Sequence, residues 1–441
     1  MHFRIAIKYL LFFLLIATPL ARGAVEGWAV ALVHLVTWAA VVLFLLECSW
    51  KWDWRRMKTP LDLPLLVLPG LVLVSAVFSA HRYASFWSWL LLADCVVIYF
   101  LTIHTFRTRS EVRQLIYLIG AVALLLSIFG FFKLIGANPF LWYEYGNSQS
   151  SLSATYVNRN HMAGYLEMAI PLVLGLLMIG TGKPQKILIG VTAAFLLLAI
   201  IFTLSRGGWI GLMVGLTFMS ATLFAKQIAK NRKLLFVCSI VVLFGFVTII
   251  SSTAVVKRVK TLEEAGDNPS LASRMLAWRG IIEMIRDYPV LGAGPGTFSD
   301  IYTQYQPPGY KIRFMMGHND YLHFTSEVGL GLVVLILWMG FVFYRNGLRK
   351  LKSPSRLVRG STLGAMTGIT AILVHSISDF NLHVPANAIL FTVLAAIAMA
   401  PPPARRRTKG EVGMPERIYE FSAQVQVPSA QVQSSSAQGE F

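Results

Sequence analysis

Apolar stretches close to twenty residues long recur along almost the whole chain, and short polar segments separate them. A stretch of about 20 apolar residues is long enough to cross a bilayer as an α-helix. Within lipid, such a helix also satisfies its own backbone polar groups. The pattern predicts an all-α polytopic membrane protein with about 12 transmembrane helices. The expected spans are residues 5–22, 28–48, 61–79, 86–105, 113–135, 157–179, 185–204, 207–225, 233–252, 320–343, 358–378 and 384–401.

The composition supports this prediction. Hydrophobic residues make up 56% of the 441 residues and charged residues only 14%, whereas a soluble domain carries about 25% charged residues. The cysteines Cys48, Cys95 and Cys238 lie in or beside apolar stretches without a Cys-x-x-Cys pair, so neither a disulfide framework nor a zinc site is expected. The first stretch resembles a signal peptide cleaved after Ala24, but a retained signal-anchor helix is the better interpretation because the next span follows at once.

Lysine and arginine predict the orientation of the spans. The formal net charge is +18, and most of the basic residues lie in segments on one side of the predicted membrane. Short cytoplasmic loops are enriched in lysine and arginine, so both termini are predicted to be cytoplasmic. Topology explains the positive charge, and no nucleic-acid partner is expected.

Two regions follow from this arrangement. Residues 1–403 form the predicted transmembrane domain, with residues 253–319 as a large loop on the extracytoplasmic face. After Pro403 the chain becomes polar and repetitive, which is typical of disorder. Residues 404–441 are therefore predicted to form a disordered cytoplasmic tail.

The densest group of titratable residues is the stretch Gly317–Glu327, at the mouth of an apolar helix. Ionisable groups at membrane depth are costly and usually functional. His318 is the candidate catalytic base, because an imidazole with an ordinary pKa of about 6.5 can accept a proton at neutral pH. Four further residues are candidates here: Asn319 and Tyr321 for substrate contact, and His323 and Glu327, four apart on a helix, for support.

Arg206 lies on the same predicted face, in a tight turn between two spans. Gly207 and Gly208 follow it and allow close approach of the backbone. Its planar guanidinium group could hold a phosphate through two parallel hydrogen bonds. Snorkelling to lipid headgroups is the alternative.

Two more polar groups fall on this face. Four consecutive residues at the start of one span could bind a sugar or phosphate, or could cap the helix: Asn158, Arg159, Asn160 and His161. The turn between the last two spans contributes Asp379 and His383, as support for the site or as a local turn cap.

The long loop contains a predicted amphipathic helix. It begins after Asn268 with proline at its first position and ends near Asp287. Arg274 lies one turn before Trp278 and is a candidate phosphate ligand. Apolar residues at spacings of three and four predict one stripe that can lie on the bilayer: Leu271, Met275, Trp278, Ile282 and Ile285.

Taken in order, these motifs resemble the O-antigen ligase and polymerase superfamily of bacterial membrane glycosyltransferases. The resemblance rests on Asn-x-Asn-His at 158–161, Ser-Arg-Gly-Gly at 205–208, Ser-Arg-x-x-x-Trp at 273–278, Tyr-Pro-x-x-Gly-x-Gly at 288–294, His-Asn-Asp-Tyr-Leu at 318–322 and Glu-x-Gly at 327–329. The turn 379–383 is similar too. Before residue 150 the likeness is limited to hydropathy.

The resemblance implies a function. Members transfer a glycan from undecaprenyl pyrophosphate to lipid A-core, as ligases, or to a growing lipid-linked glycan, as polymerases. They work in the bacterial inner membrane with the active site facing the periplasm. By analogy, Arg206 and Arg274 bind the donor pyrophosphate and His318 activates the acceptor hydroxyl. Transfer is expected to invert the anomeric centre and to need no metal or other cofactor.

Other functions stay open at this point. The chain could be a transporter or flippase of a lipid-linked saccharide, a protein O-oligosaccharyltransferase, or a non-catalytic scaffold. A transporter would place charged groups near the bilayer midplane. The charges recognised in this chain gather at one face, which favours an enzyme.

Overall fold

The computed structural model describes residues 2–51, 57–136, 151–179, 182–225, 269–306 and 313–402. Within these ranges the chain forms α-helices and no β-strand. In chain order the helices are α1 His2–Leu20, α2 Gly27–Lys51, α3 Asp62–Val77, α4 Arg82–Thr105, α5 Arg109–Leu134, α6 Arg159–Leu176, α7 Lys183–Phe202, α8 Arg206–Ala225, α9 Pro269–Asp287, α10 Phe298–Ile301, α11 Asp320–Val328, α12 Gly331–Lys350, α13 Arg356–His375 and α14 Pro385–Met399.

The all-α fold with several membrane spans is confirmed. Eight of the described helices are long and apolar enough to cross a membrane, namely α1, α2, α4, α5, α7, α8, α12 and α13, and α3 and α14 are shorter apolar helices. The count of about twelve spans is not confirmed. The predicted span 233–252, the first part of the long loop and the tail 404–441 lie outside the described residues.

The predicted span 320–343 is wrong in one respect, because it is broken into two helices. Helix α11 ends at Val328, and Gly329 follows with a φ of 89°. A Cβ at Gly329 would lie 2.2 Å from the carbonyl oxygen of Val290. The chain therefore turns where the long loop packs against it, and only α12 is long enough to span the membrane.

Helix α9 confirms the predicted helix in the long loop, and the structure adds a second, buried face to it; contact of the predicted stripe with the bilayer stays a prediction. Ala277, Ile281 and Met284 are fully buried, whereas Met275 and Ile282 are 51% and 42% exposed. The buried face packs against Phe298 and Tyr302 of the same loop. The loop therefore has a small apolar core of its own, and this core, rather than a bilayer, covers that face of α9.

Helix α13 lies at the centre of the bundle and packs most extensively against α6 and α8. Glycines permit the contact with α6: a Cβ at Gly364 would lie 2.7 Å from the carbonyl oxygen of Pro171, and one at Gly368 2.7 Å from that of Met168. On the other side, a Cβ at Gly211 of α8 would lie 2.6 Å from the carbonyl oxygen of Ala371. Small residues let transmembrane helices approach to backbone contact, where van der Waals packing holds them together.

This packing brings several helix ends together. The starts of α6, α8 and α14 lie at the same end of the bundle as the end of α13. At that end the hydroxyl of Tyr156 donates to Asn387 at 3.2 Å. At the opposite end Arg4 binds Glu111 at 2.8 Å, and Lys350 donates to the carbonyl oxygen of Ala400 at 2.5 Å.

We expect Gly364→Ala to lower the melting temperature of the detergent-solubilised protein, because the added methyl group meets the α6 backbone. Overpacking of this kind costs about 1–3 kcal/mol. Gly340→Ala in α12 is the matched control, since nothing lies within 4 Å of a Cβ there. Equal melting temperatures for the two variants would contradict the close-packing account.

Candidate functional site

Asp379 is at the centre of the polar cluster at the end of α13. Its side chain is 1% exposed. One carboxylate oxygen accepts a hydrogen bond from the Asn160 side-chain amide at 2.5 Å, and the other accepts from the backbone N–H of Phe380 at 2.9 Å. Asp379 was predicted only as a supporting residue, yet most of the other candidates gather around it.

One arginine and two histidines surround this carboxylate. Arg274 Nη2 lies 3.9 Å from Oδ2, and His161 Nε2 and His318 Nδ1 each lie 3.9 Å from Oδ1. Burial alone would raise the pKa of Asp379, but His318, with His375, His161 and the Phe380 N–H, outweighs burial and holds the pKa well below its usual range. Asp379 is therefore a fixed negative charge that organises the groups around it.

Arg274 is anchored by the same turn. Its Nη1 donates to the carbonyl oxygen of Ser378 at 2.7 Å, and its side chain remains 23% exposed. A guanidinium group carries five N–H donors in a rigid plane. Donors are therefore left for an anion approaching from solvent, while the plane of the group is held in place.

His318 has a strained backbone. Its φ is 48°, in the left-handed region that only a few per cent of residues other than glycine adopt. Its ring packs edge-on against Phe380 with centroids 5.1 Å apart. Strain of this kind persists where the surroundings enforce it, typically at functional sites. The side chain is 31% exposed, so the imidazole has access to solvent on one side and faces Asp379 on the other.

Arg206 begins α8 and is exposed. The glycine after it is tightly enclosed: a Cβ at Gly207 would lie 2.5 Å from Cδ2 of His375 and 3.1 Å from Oγ of Ser378. The α8 turn therefore touches the residue whose carbonyl oxygen holds Arg274. The structure thus brings the start of α8 to the same cluster, and the role of Arg206 in binding the donor stays a prediction.

The four polar residues that open α6 have separate positions. Asn158 caps the helix by accepting the backbone N–H of Asn160 at 2.9 Å. The Asn160 side chain reaches Asp379, the His161 ring packs against Phe380 with centroids 4.7 Å apart, and Arg159 is partly exposed. Capping and site formation are thus divided among neighbours, and substrate contact by these residues stays a prediction.

The residues after His318 anchor α11. Asn319 caps the helix by accepting the backbone N–H of Leu322 at 3.0 Å. The Tyr321 hydroxyl donates to the carbonyl oxygen of Leu373 at 2.8 Å. Both contacts fix α11 against α13, and the predicted substrate contacts of Asn319 and Tyr321 stay predictions.

Residues 191–339 match a family model described as O-antigen ligase. This range includes Arg206, Arg274 and the stretch Gly317–Glu327. This match supports the resemblance to the O-antigen ligase/polymerase superfamily. No curated protein matches the chain at a significant level.

His323 and Glu327 form a contact within α11. His323 Nε2 lies 3.4 Å from Glu327 Oε1, which also accepts the backbone N–H of Phe298 at 3.1 Å. Burial lowers the pKa of His323 and keeps the ring neutral. Burial alone would raise the pKa of Glu327, but its bonds with His323 and the Gly296 N–H lower it. Glu327 thereby ties the long loop to α11.

Among the residues that the structure describes, His323, Glu327 and His383 are the set that could hold a metal ion, with ligand atoms within 4.8 Å of one another. The hydrogen bonds favour another use. His323 Nδ1 accepts the N–H of Gly317 at 3.3 Å, which leaves its proton on Nε2, facing Glu327. The rings of His323 and His383 also stack at 4.0 Å with planes 32° apart, so their lone pairs do not converge well. The expectation of no metal stays a prediction.

Four residues of this region were not predicted from the sequence: Asp320, Ser378, Glu167 and His375. Asp320 Oδ1 accepts from His383 Nδ1 at 2.6 Å, which links α11 to the turn after α13. Glu167 Oε1 and His375 Nδ1 are 3.0 Å apart, and both side chains are fully buried. A carboxylate in an otherwise apolar helix was a usable signal.

We expect Glu327→Ala to destabilise the protein by about 1–3 kcal/mol, because the buried N–H group of Phe298 loses its acceptor. Thermal unfolding and proteolysis of residues 288–306 report the change. Because the pKa of Glu327 is lowered in the folded state, its stabilisation exists above the unfolded pKa of about 4.3 and is lost as pH falls through the folded value. Exposed Glu283→Ala is the control, and an equally stable Glu327 variant would refute the role as a tie.

Proposed function

We propose that the protein transfers a glycan from undecaprenyl pyrophosphate to a hydroxyl acceptor at the periplasmic face of the bacterial inner membrane. The observation that carries the proposal is the gathering of His318, Arg274 and the Arg206 turn around one buried carboxylate, Asp379. The family match over residues 191–339 supports an O-antigen ligase-like activity. The acceptor is lipid A-core for a ligase or a lipid-linked glycan for a polymerase.

Arg206 and Arg274 can stabilise the negative charge of a pyrophosphate leaving group. When the glycosidic bond breaks, negative charge develops on the oxygen that remains with the diphosphate. Fixed donors aimed at that position stabilise the transition state without reorganisation. Arg274 is held by Ser378 and by Asp379, and Arg206 starts the helix whose first turn touches Ser378. We assign both to the donor.

The arrangement of His318 and Asp379 allows His318 to act as a general base. A proton on Nδ1 of His318 is stabilised by Asp379, and Nε2 is then the lone pair that takes the proton of the acceptor hydroxyl. The hydroxyl oxygen attacks the anomeric carbon from the side opposite the pyrophosphate. The glycosidic bond to phosphate breaks as the new bond forms, which inverts the anomeric centre. No step requires a metal ion.

The membrane context supports the same assignment. The polar cluster lies at one end of the bundle, and apolar helices extend beneath it, where a polyprenyl chain would be accommodated. Arg4 and Lys350 lie at the opposite end, which agrees with cytoplasmic termini under the positive-inside rule.

The expectation that the charged groups gather at one face, which favoured an enzyme over a transporter, does not hold for two buried pairs. Two buried acid–histidine pairs lie within the spans, Glu167–His375 and His34–Asp94, so the charges do not all gather at one face. The alternative functions are a flippase and a protein O-oligosaccharyltransferase, which uses a protein hydroxyl as acceptor. Experiment distinguishes them from the proposed function.

We expect His318→Ala, Arg274→Ala and Arg206→Ala each to lower transfer by about 100-fold or more, because each removes a group that acts in the transition state. Arg313→Ala is the matched control, since Arg313 pairs on the surface with Asp300. Transfer is measured in membranes that accumulate each variant to the wild-type level. Full activity of the His318 variant would exclude it as the base.

Deletion of the gene, followed by gel analysis of surface glycans, separates the acceptors. For a ligase we expect the polymer to remain on the carrier lipid and to be missing from lipid A-core. For a polymerase we expect lipid A-core to carry a single repeat. Loss of glycan from proteins indicates an O-oligosaccharyltransferase, and failure of donor to reach the periplasm indicates a flippase and contradicts the proposal.

A further inference from the structure

The buried pair Glu167–His375 has no part in the proposed reaction steps, yet it lies directly beneath the site. Glu167 is in the middle of α6 and is 0% exposed, and His375 is the last residue of α13 and is 1% exposed. Burying an acidic side chain among apolar helices costs free energy. Such residues usually contact a polar partner and have a functional role. Here Glu167 Oε1 and His375 Nδ1 are 3.0 Å apart.

Helix α8 packs against both residues of this pair. A Cβ at Gly207 would lie 2.5 Å and 2.7 Å from Cδ2 and Nε2 of His375, and a Cβ at Gly211 would lie 2.6 Å from Oε2 of Glu167. The glycine face of α8 is therefore in contact with both partners over its first turns. Because α8 begins at Arg206, the position of this arginine depends on the surface that the pair presents.

His375 also leads directly into the turn that holds the other arginine. Its carbonyl oxygen accepts the backbone N–H of Ser378 at 2.9 Å. The carbonyl oxygen of Ser378 in turn accepts Nη1 of Arg274 at 2.7 Å. One residue thus touches, through its imidazole, the helix that begins at Arg206 and starts, through its backbone, the turn that anchors Arg274.

We propose that Glu167 and His375 are positioning residues that set the distance between Arg206 and Arg274. They thereby determine how tightly the two arginines bind the diphosphate of the donor lipid. Glu167 orients the imidazole, and the imidazole supports the first turn of α8. The pair does not touch the donor itself. This inference rests on the proposed function, because it assumes that both arginines bind the diphosphate.

The test uses undecaprenyl pyrophosphate as the probe, with the full-length protein in lipid nanodiscs and undecaprenyl monophosphate for comparison. Glu167→Gln keeps the size of the side chain and an oxygen that can bond His375, but removes the charge. We expect it to weaken binding of undecaprenyl pyrophosphate by about tenfold, since small displacements of positioned groups have effects of this order or larger. Binding of the monophosphate should change much less.

A double-variant comparison separates positioning from general damage to the fold. If the pair acts through Arg206, Glu167→Gln should add little to the loss already caused by Arg206→Ala. Asp94→Asn is the matched control, because Asp94 is equally buried and binds His34 at 2.5 Å in another part of the bundle. It should bind the probe like the wild type. His375→Gln provides a second route should Glu167→Gln fail to accumulate.

The outcomes are distinct. Wild-type affinity of Glu167→Gln, or losses that simply add with Arg206→Ala, would overturn the positioning role while leaving the proposed function intact. Wild-type affinity of Arg206→Ala would overturn the assignment of Arg206 to the donor, and this inference with it. Equal losses in Glu167→Gln and Asp94→Asn would show that removing any buried charge has the effect, and would also overturn the inference.

Discussion

Backbone-to-backbone packing of α13 between α6 and α8 is the contact on which the other features depend. Glycines on α13 meet carbonyl groups of α6, and glycines on α8 meet carbonyl groups of α13. In lipid there is little hydrophobic gain when helices associate, so close packing supplies the attraction. As a result the end of α13 and the starts of α6 and α8 are held within side-chain reach of one another.

Asp379 follows directly from that arrangement. The turn after α13 has to leave the bundle between α6 and α11, and its carboxylate is buried there among an amide, an arginine and two histidines. A buried carboxylate is tolerated only when it is paired and hydrogen-bonded. The charge that the fold must neutralise is thus the same charge that orients His318 and Arg274.

Much of this could be predicted from sequence because it is local. Spans, the helix over residues 269–287 and the polar stretches are readable from periodicity and composition. The break at Gly329 was missed because it depends on the backbone of Val290, which reaches that point only in the fold. The buried face of α9 was not predicted for a similar reason, since its partners Phe298 and Tyr302 lie farther along the same loop and meet the helix only in the fold.

Most residues of the site could be predicted from the sequence, but the central position of Asp379 could not. His318, Arg206 and Arg274 stand out because polar residues next to apolar helices are rare. Asp379 looked like an ordinary turn residue, and Glu167 was overlooked inside α6. Their importance comes from distances between segments more than 200 residues apart, such as the 2.5 Å contact between Asn160 and Asp379. Such distances are a property of helix packing and leave no mark on local sequence.

The most direct test of the central claim is a cryo-electron microscopy structure of the protein with undecaprenyl pyrophosphate bound in a nanodisc. The account predicts the diphosphate between the guanidinium groups of Arg206 and Arg274, with His318 beside it and the polyprenyl chain running down along apolar helices. A diphosphate bound at the opposite end of the bundle, near Arg4 or Lys350, would contradict it.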